Sequence, residues 1–221
     1  MQNFTTMKHF TITLAFIFGL SNHGFSQTIE PSTSDSSLQD EQTQPKKEWK
    51  IFSELDLGLL ALTGGIGSYS GVRKGPHSFE VGYQKFKSPE GFGGTPEGFD
   101  LKVDYIYSVH YSYFWNGKTD KGLYTRIMYQ NKKQIVTEES TGISENLYSD
   151  LVGVELGYIF RIYKGLYVMP RIGALYYLKS PQGKDNNPVP VGDSFYDNDR
   201  HKTWDTYFIP TVSIGYSFPI N

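Results

Sequence analysis

From Trp49 onward the side chains alternate in polarity with a period of two, and residues 100–115 carry this alternation furthest. Leu101, Val103, Tyr105, Tyr107, Val109, Tyr111, Tyr113 and Trp115 fall on one face. Lys102, Asp104, Ile106, Ser108, His110, Ser112 and Phe114 fall on the other. Successive side chains of a strand point to opposite sides, so the pattern predicts a strand with one apolar and one mostly polar face. It is longer than the strands of ordinary globular domains and long enough to cross a bilayer with residues to spare.

The pattern recurs at 78–84, 123–130, 151–162, 166–178 and in the last strand. Phe79, Val81 and Tyr83 oppose Glu80, Gly82 and Gln84; Leu123, Ile127 and Tyr129 oppose Tyr124, Arg126 and Gln130. Val152, Val154, Leu156, Tyr158, Phe160 and Ile162 oppose Gly153, Glu155, Gly157 and Arg161. Val168, Ile172, Ala174, Tyr176 and Leu178 oppose Tyr167, Arg171 and Gly173. At the end Trp204, Phe208, Val212, Ile214, Tyr216 and Phe218 oppose Asp205, Tyr207, Thr211, Ser213 and Gly215. Short turns rich in Gly and Lys (73–76, 116–121, 163–165) alternate with long polar connections (88–99, 137–147, 180–202). Barrels of the bacterial outer membrane show this alternation of short periplasmic turns and longer outside loops, and their strand number is even. Residues 49–72 are therefore divided at Thr63-Gly64-Gly65, giving strands at 51–62 and 66–73 and eight in all. The expected fold is all-β: an antiparallel, up-and-down transmembrane barrel over residues 49–221. Eight strands leave a lumen just wide enough to be filled by side chains.

The N-terminus has a different character. Lys8 and His9 precede an apolar stretch at 10–20, followed by Gly24-Phe25-Ser26-Gln27. This is the pattern of a secretory signal peptide, 1–26, with cleavage after Ser26; the stretch is too short to span a bilayer. Residues 27–48 are rich in Ser, Thr, Asp, Gln and Pro, and such a segment buries too little to offset its ordering entropy. It is expected to be a disordered periplasmic tail.

The formal net charge of -2 gives no basic surface for nucleic acid. The absence of cysteine excludes disulfides, a lipid anchor on Cys and thiolate metal sites. The signal sequence, the strand pattern and the aromatic last strand Val212-Ser213-Ile214-Gly215-Tyr216-Ser217-Phe218 together resemble the small outer-membrane barrels of the OmpA/OmpX/OmpW type, in particular outer-membrane barrel proteins of Bacteroidetes. The resemblance covers residues 49–218 and implies a cell-outer-membrane protein in contact with lipid, and with other outer-membrane or periplasmic proteins as possible partners.

The polar face carries Glu54, Asp56, Glu80, Asp104, Arg126, Glu155, Arg161, Arg171 and Asp205. In a narrow barrel these meet in the lumen, where unpaired charges are costly, so a salt-bridge plug is expected. Their mixed signs do not suit a selective channel. His110 and Ser112 share a strand face, as a base and nucleophile do, and lipid A deacylase barrels carry a His-x-Ser-Asn motif. Here Tyr113 follows Ser112, and the alternation turns both residues inward, away from lipid. Asp193, Asp197, Asp199 and His201 cluster in the longest loop without the Gly and closing Glu of a calcium loop; a solvated acidic loop is expected. Pro89-Glu90-Gly91-Phe92 recurs as Pro96-Glu97-Gly98-Phe99, a spacing that makes turns. Tyr111, Tyr113, Trp115 and Trp204 suit interfacial aromatic girdles. No catalytic, cofactor or metal residue is assigned. The expected role is structural or partner-binding, against two rivals: a lipid-modifying hydrolase of the same architecture, and a soluble periplasmic barrel with its apolar face inward around an apolar ligand.

Overall fold

The computed structural model describes residues 48–89, 95–117, 121–183, 185–201 and 206–220. The expected signal peptide (1–26), all but the last residue of the tail (27–48), the first Pro-Glu-Gly-Phe repeat beyond Pro89, and Trp204 and Asp205 lie outside them.

The elements are β1 (Trp49–Asp56), α1 (Leu57–Thr63), β2 (Ile66–Lys74), β3 (His77–Lys87), β4 (Phe99–Phe114), β5 (Gly122–Glu138), β6 (Ser144–Tyr163), β7 (Leu166–Lys179), β8 (Val189–Val191), β9 (Ser194–Tyr196) and β10 (Thr206–Ile220). Eight of the strands close in the order β1-β10-β7-β6-β5-β4-β3-β2, every neighbouring pair antiparallel. β8 and β9 form a separate two-stranded hairpin within the β7–β10 connection. The β2–β3, β4–β5 and β6–β7 turns share one end of the barrel with Trp49 and Ile220, which pair with each other, Trp49 pairing also with Lys74.

A belt of exposed apolar side chains surrounds the wall. It includes Ile51, Phe79, Val81, Tyr107, Val109, Leu123, Ile127, Val154, Leu156, Ile172, Phe208 and Phe218. Such a belt is far larger than the apolar patches tolerated on soluble proteins and matches a wall solvated by lipid. The eleven residues from Tyr105 to Trp115 agree with the roughly 9–11 that a tilted strand needs to cross the hydrocarbon. The alternation thus puts its apolar set outward, the reverse of a soluble ligand-binding barrel.

Two local features depart from a uniform alternation. The strand expected at 51–62 ends at Asp56, and Leu57–Thr63 is helical. Asp56 caps the helix, its carboxylate accepting the Leu59 N–H at 2.9 Å. Gly64, at φ 66°, ends it, its N–H donating to the Leu60 carbonyl at 2.9 Å. An Asp N-cap and a left-handed Gly are the usual helix boundaries, and Leu59-Leu60 breaks the period of two.

The second is a bulge at Asp104, where the β4–β5 register shifts between Val103 and Tyr105. One extra residue reverses the parity of everything above it. Leu101 and Val103, expected outward, are buried, while Lys102 is exposed. Asp104, expected in the lumen, pairs with two partly exposed lysines, Lys85 at 3.5 Å and Lys133 at 3.2 Å. Below the bulge β4 is apolar outside and polar inside; above it the order inverts. The inversion falls beside Tyr105, Tyr107 and Tyr83, whose rings pack together, at the upper limit of the apolar belt. β5 and β6 also run higher than expected, leaving five residues between Glu138 and Ser144 where a loop at 137–147 was anticipated.

Deleting Asp104 should join the Val103–Gln134 and Tyr105–Lys133 pairs in an unbroken ladder and leave Leu101 and Val103 inside. We expect the barrel still to shift on boiling in gels and the β8–β9 connection to keep its protease resistance to within about twofold, whereas cleavage about tenfold faster, roughly 1.4 kcal/mol of lost local stability, would show that Asp104 is not the extra residue.

Candidate functional site: the charged lumen and its cap

The inward face of the lower barrel is built around buried arginines. At the end of the barrel that bears the short turns, Arg73 of β2 donates to Glu54 of β1 at 2.6 Å. Its guanidinium lies 3.7 Å from the Phe52 ring centroid and 4.8 Å from that of Tyr167. Tyr167 also donates to Glu54, at 2.7 Å. The bulky Tyr167 and Tyr124 fit because Gly215 and Gly157 face them: a Cβ on either glycine would come within 2.4 Å and 2.3 Å of the ring atoms.

One layer up, Arg126 of β5 grips Glu80 of β3 in a two-pronged contact at 2.8 and 2.9 Å and reaches Glu155 of β6 at 3.3 Å. Arg171 of β7 lies 3.4 Å from Asp56, 3.5 Å from Glu155 and 3.7 Å from Glu54. His110 of β4 sits 2.6 Å from Glu80. Ser112 accepts from Arg126 at 3.0 Å, and Ser213 of β10 from Arg171 at 2.9 Å. Three guanidinium groups thus face four carboxylates, and every strand of the barrel contributes a member. Asp56 closes the network against α1, accepting from Thr211 at 2.6 Å while capping the helix.

Above the network Met128, Leu151, Leu175 and Tyr177 form an apolar layer. Higher still, Leu101, Val136 and Leu147 pack with Val191 and Tyr196 of the β8–β9 hairpin. The hairpin is a cap set into the tall wall of β4, β5 and β6. Glu138 pins it, accepting the Asp193 N–H at 3.0 Å, and hydrogen bonds from Ser194, Thr141 and that N–H hold its carboxyl below the usual range. His201 is buried at the base of the cap, 3.3 Å from the Tyr196 hydroxyl. Burial, with Lys132 nearby, holds its imidazole well below the ordinary histidine value.

Of the expected lumen charges, the structure brings together Glu54, Asp56, Glu80, Arg126, Glu155 and Arg171. Asp104 turns outward because of the bulge. Arg161 is exposed beside the β6–β7 turn, donating to the Lys164 carbonyl at 2.5 Å. His110 and Ser112 face inward as expected, but each is bonded to the ionic network, so neither lies against lipid. The loop acids do not converge: Asp193 and Asp199 are exposed, and Asp197 accepts from Gln182 at 2.8 Å. Among the described residues no group of three or more His, Cys, Asp or Glu is placed to hold a metal. Arg73 and Lys132 were missed. Carrying the alternation through Tyr69-Gly71-Arg73 and past Gln130 to Lys132 would have found both.

No protein-family model and no curated protein matches the sequence. Among solved structures the chain is similar to Neisserial surface protein A, at 13% identity and TM-score 0.43 over 78% of this chain and 95% of that one. It is also similar to a major outer membrane protein from Thermus thermophilus, at 16% identity and TM-score 0.45 over 77% and 99%. The N-terminal β-barrel domain of Pseudomonas aeruginosa OprF gives 9% identity and TM-score 0.46 over 78% and 98%. The chain's own geometry, a closed eight-stranded barrel with an apolar belt and a polar lumen, is that of a transmembrane barrel of the outer-membrane type.

Arg126→Met leaves Glu80 and Glu155 buried without their shared cation. It should cost about 3–5 kcal/mol, whereas Ser112→Ala, which removes a hydrogen bond but no charge, should cost about 1 kcal/mol. Reversible urea unfolding in lipid vesicles measures both, and equal effects would count against an ionic network. The cap should also respond to pH. Closed, it holds His201 neutral; opened, His201 titrates near its ordinary 6.5. The open form therefore takes up the proton first. The cap is fully stable above about pH 6.5 and loses stability as pH falls below it. Protection factors across β8 and β9, measured against the intrinsic exchange rate at each pH, should be lower at about pH 5.5 than at about pH 7.5, and His201→Gln should flatten the dependence.

Proposed function

We propose that this chain is an outer-membrane barrel with a structural or accessory role: a plugged anchor that offers partners its extramembrane surfaces. The observation that carries the reading is the lumen, where Arg126 and Arg171 tie carboxylates from β1, β3 and β6 into one buried cluster. Such a cluster rigidifies the barrel and obstructs a conductive path, since separating its charges leaves them unpaired in a poorly solvated space. The inward, engaged state of His110 and Ser112 favours this role over lipid hydrolysis.

The same reading includes export by a signal peptide at 1–26 and a periplasmic tail at 27–48. It is supported by the position of Trp49 at the end bearing the short turns. Kinship with Bacteroidetes barrels belongs to the reading too and rests on the pattern of the leader and of the last strand. Lipid contacts the belt, and protein partners meet the cap or the tail.

Reconstitution into planar bilayers tests the role. The expected outcome is a quiet membrane with the wild-type protein. Reproducible single-channel steps would reassign the lumen as a pore.

A further inference from the structure

Between the ionic network and the cap lies a cation without an anion. Lys132 points inward from β5 and is 5% exposed. Among the described residues its ammonium makes one hydrogen bond, 2.7 Å to the neutral Tyr177 hydroxyl, and no carboxylate is ion-paired with it. By contrast, Arg73, Arg126 and Arg171 each have a carboxylate within 4 Å.

The surroundings of Lys132 form a polar slot between two apolar layers. Along β5 the inward positions run Met128, Gln130, Lys132, Gln134, Val136, and along β6 they run Leu151, Ser149, Leu147. Met128 and Leu151 belong to the layer below, Val136 and Leu147 to the layer above. Lys132 and Ser149 are direct partners across the β5–β6 ladder. Ser149 and Gln134 are each 1% exposed, yet among the described residues Ser149 Oγ and Gln134 Oε1 have no hydrogen-bond partner. His201 closes the slot from the cap, its ring 5.8 Å from that of Tyr177.

Burying an ammonium with no counter-charge is costly, so such a group either gains an anion or gives up its proton. Unsatisfied polar atoms beside it mark a place where something else completes the bonding. Water supplies hydrogen bonds but leaves the charge. The geometry points to a bound small monovalent anion of the halide class, held by the Lys132 ammonium and the Ser149 hydroxyl. Turning the Gln134 amide adds an N–H donor, a choice that heavy-atom positions leave open. The apolar layers above and below disfavour a bulkier or doubly charged oxyanion, whose remaining oxygens would find no donors there. This site is independent of the role proposed for the barrel.

Thermal unfolding of the purified full-length barrel tests it, with sodium chloride or bromide compared against gluconate at matched ionic strength. The halides should raise the midpoint saturably, by roughly 5–10 °C at a hundredfold excess over Kd. Lys132→Met should abolish the halide response. A wild-type midpoint equal in chloride and gluconate overturns the proposal; this is the outcome if the amine gives up its proton or if a carboxylate of the chain itself neutralises it. A halide response that survives in Lys132→Met overturns it as well. Should that variant fail to fold, anomalous scattering from bromide-soaked wild-type crystals decides. A peak within hydrogen-bonding distance of Lys132 Nζ supports the site, and no peak there refutes it.

Discussion

A charge folded into the interior of a narrow barrel must find its partner there, and most of this structure follows from that requirement. The fold sends one side chain of every two inward, and lipid claims the apolar half, so the polar half is confined to the lumen. Glu80 cannot sit on β3 without a cation in reach, and Arg126 on β5 supplies it with both prongs of its guanidinium. Arg171 does the same for β1 and β6. The partners lie on different strands, so each pair fixes register as well as charge. A slip of one residue on β1, β3 or β6 would send a carboxylate into lipid and take it from its arginine.

The solvent boundary writes itself into the wall through a single residue. Below Asp104 the exterior of β4 faces hydrocarbon; above it the exterior faces water. A strand with unbroken alternation would carry Leu101 and Val103 into water. The bulge reverses the parity there, placing the two residues inside, where Leu101 meets Val191 and Tyr196 of the cap. Asp104 itself is left outside between Lys85 and Lys133. The cap exists because the extramembrane interior is apolar and needs covering. On the opposite side of the mouth β1 stops early, and Asp56 performs two tasks, capping α1 and joining Arg171 in the lumen.

The closed barrel, the short-turn end and six of the network's charges were legible in the sequence because strand parity and lipid between them leave little choice of face. Asp104 was misplaced because a bulge adds a residue without changing composition. Residues 57–63 resemble strand because leucine at 55, 57 and 59 keeps a period of two, although Asp56 and Gly64 carry helix-boundary chemistry. The cap was read only as a polar loop. Its apolar members, Val189, Val191 and Tyr196, are too few to show a period, and their burial depends on a parity reversal located elsewhere in the chain. Lys132 escaped notice because strand β5 was ended too soon.

The central claim is that polarity inverts across the wall at Asp104. Spin labels at single cysteines, introduced into this cysteine-free chain at 109, 127, 102 and 133 in reconstituted membranes, test it most directly through collision with oxygen and with a water-soluble nickel complex. The account predicts oxygen-dominated, lipid-like relaxation at 109 and 127 and nickel-dominated, water-like relaxation at 102 and 133. Nickel access at 109 and 127, or lipid-like relaxation at 102 and 133, would contradict it.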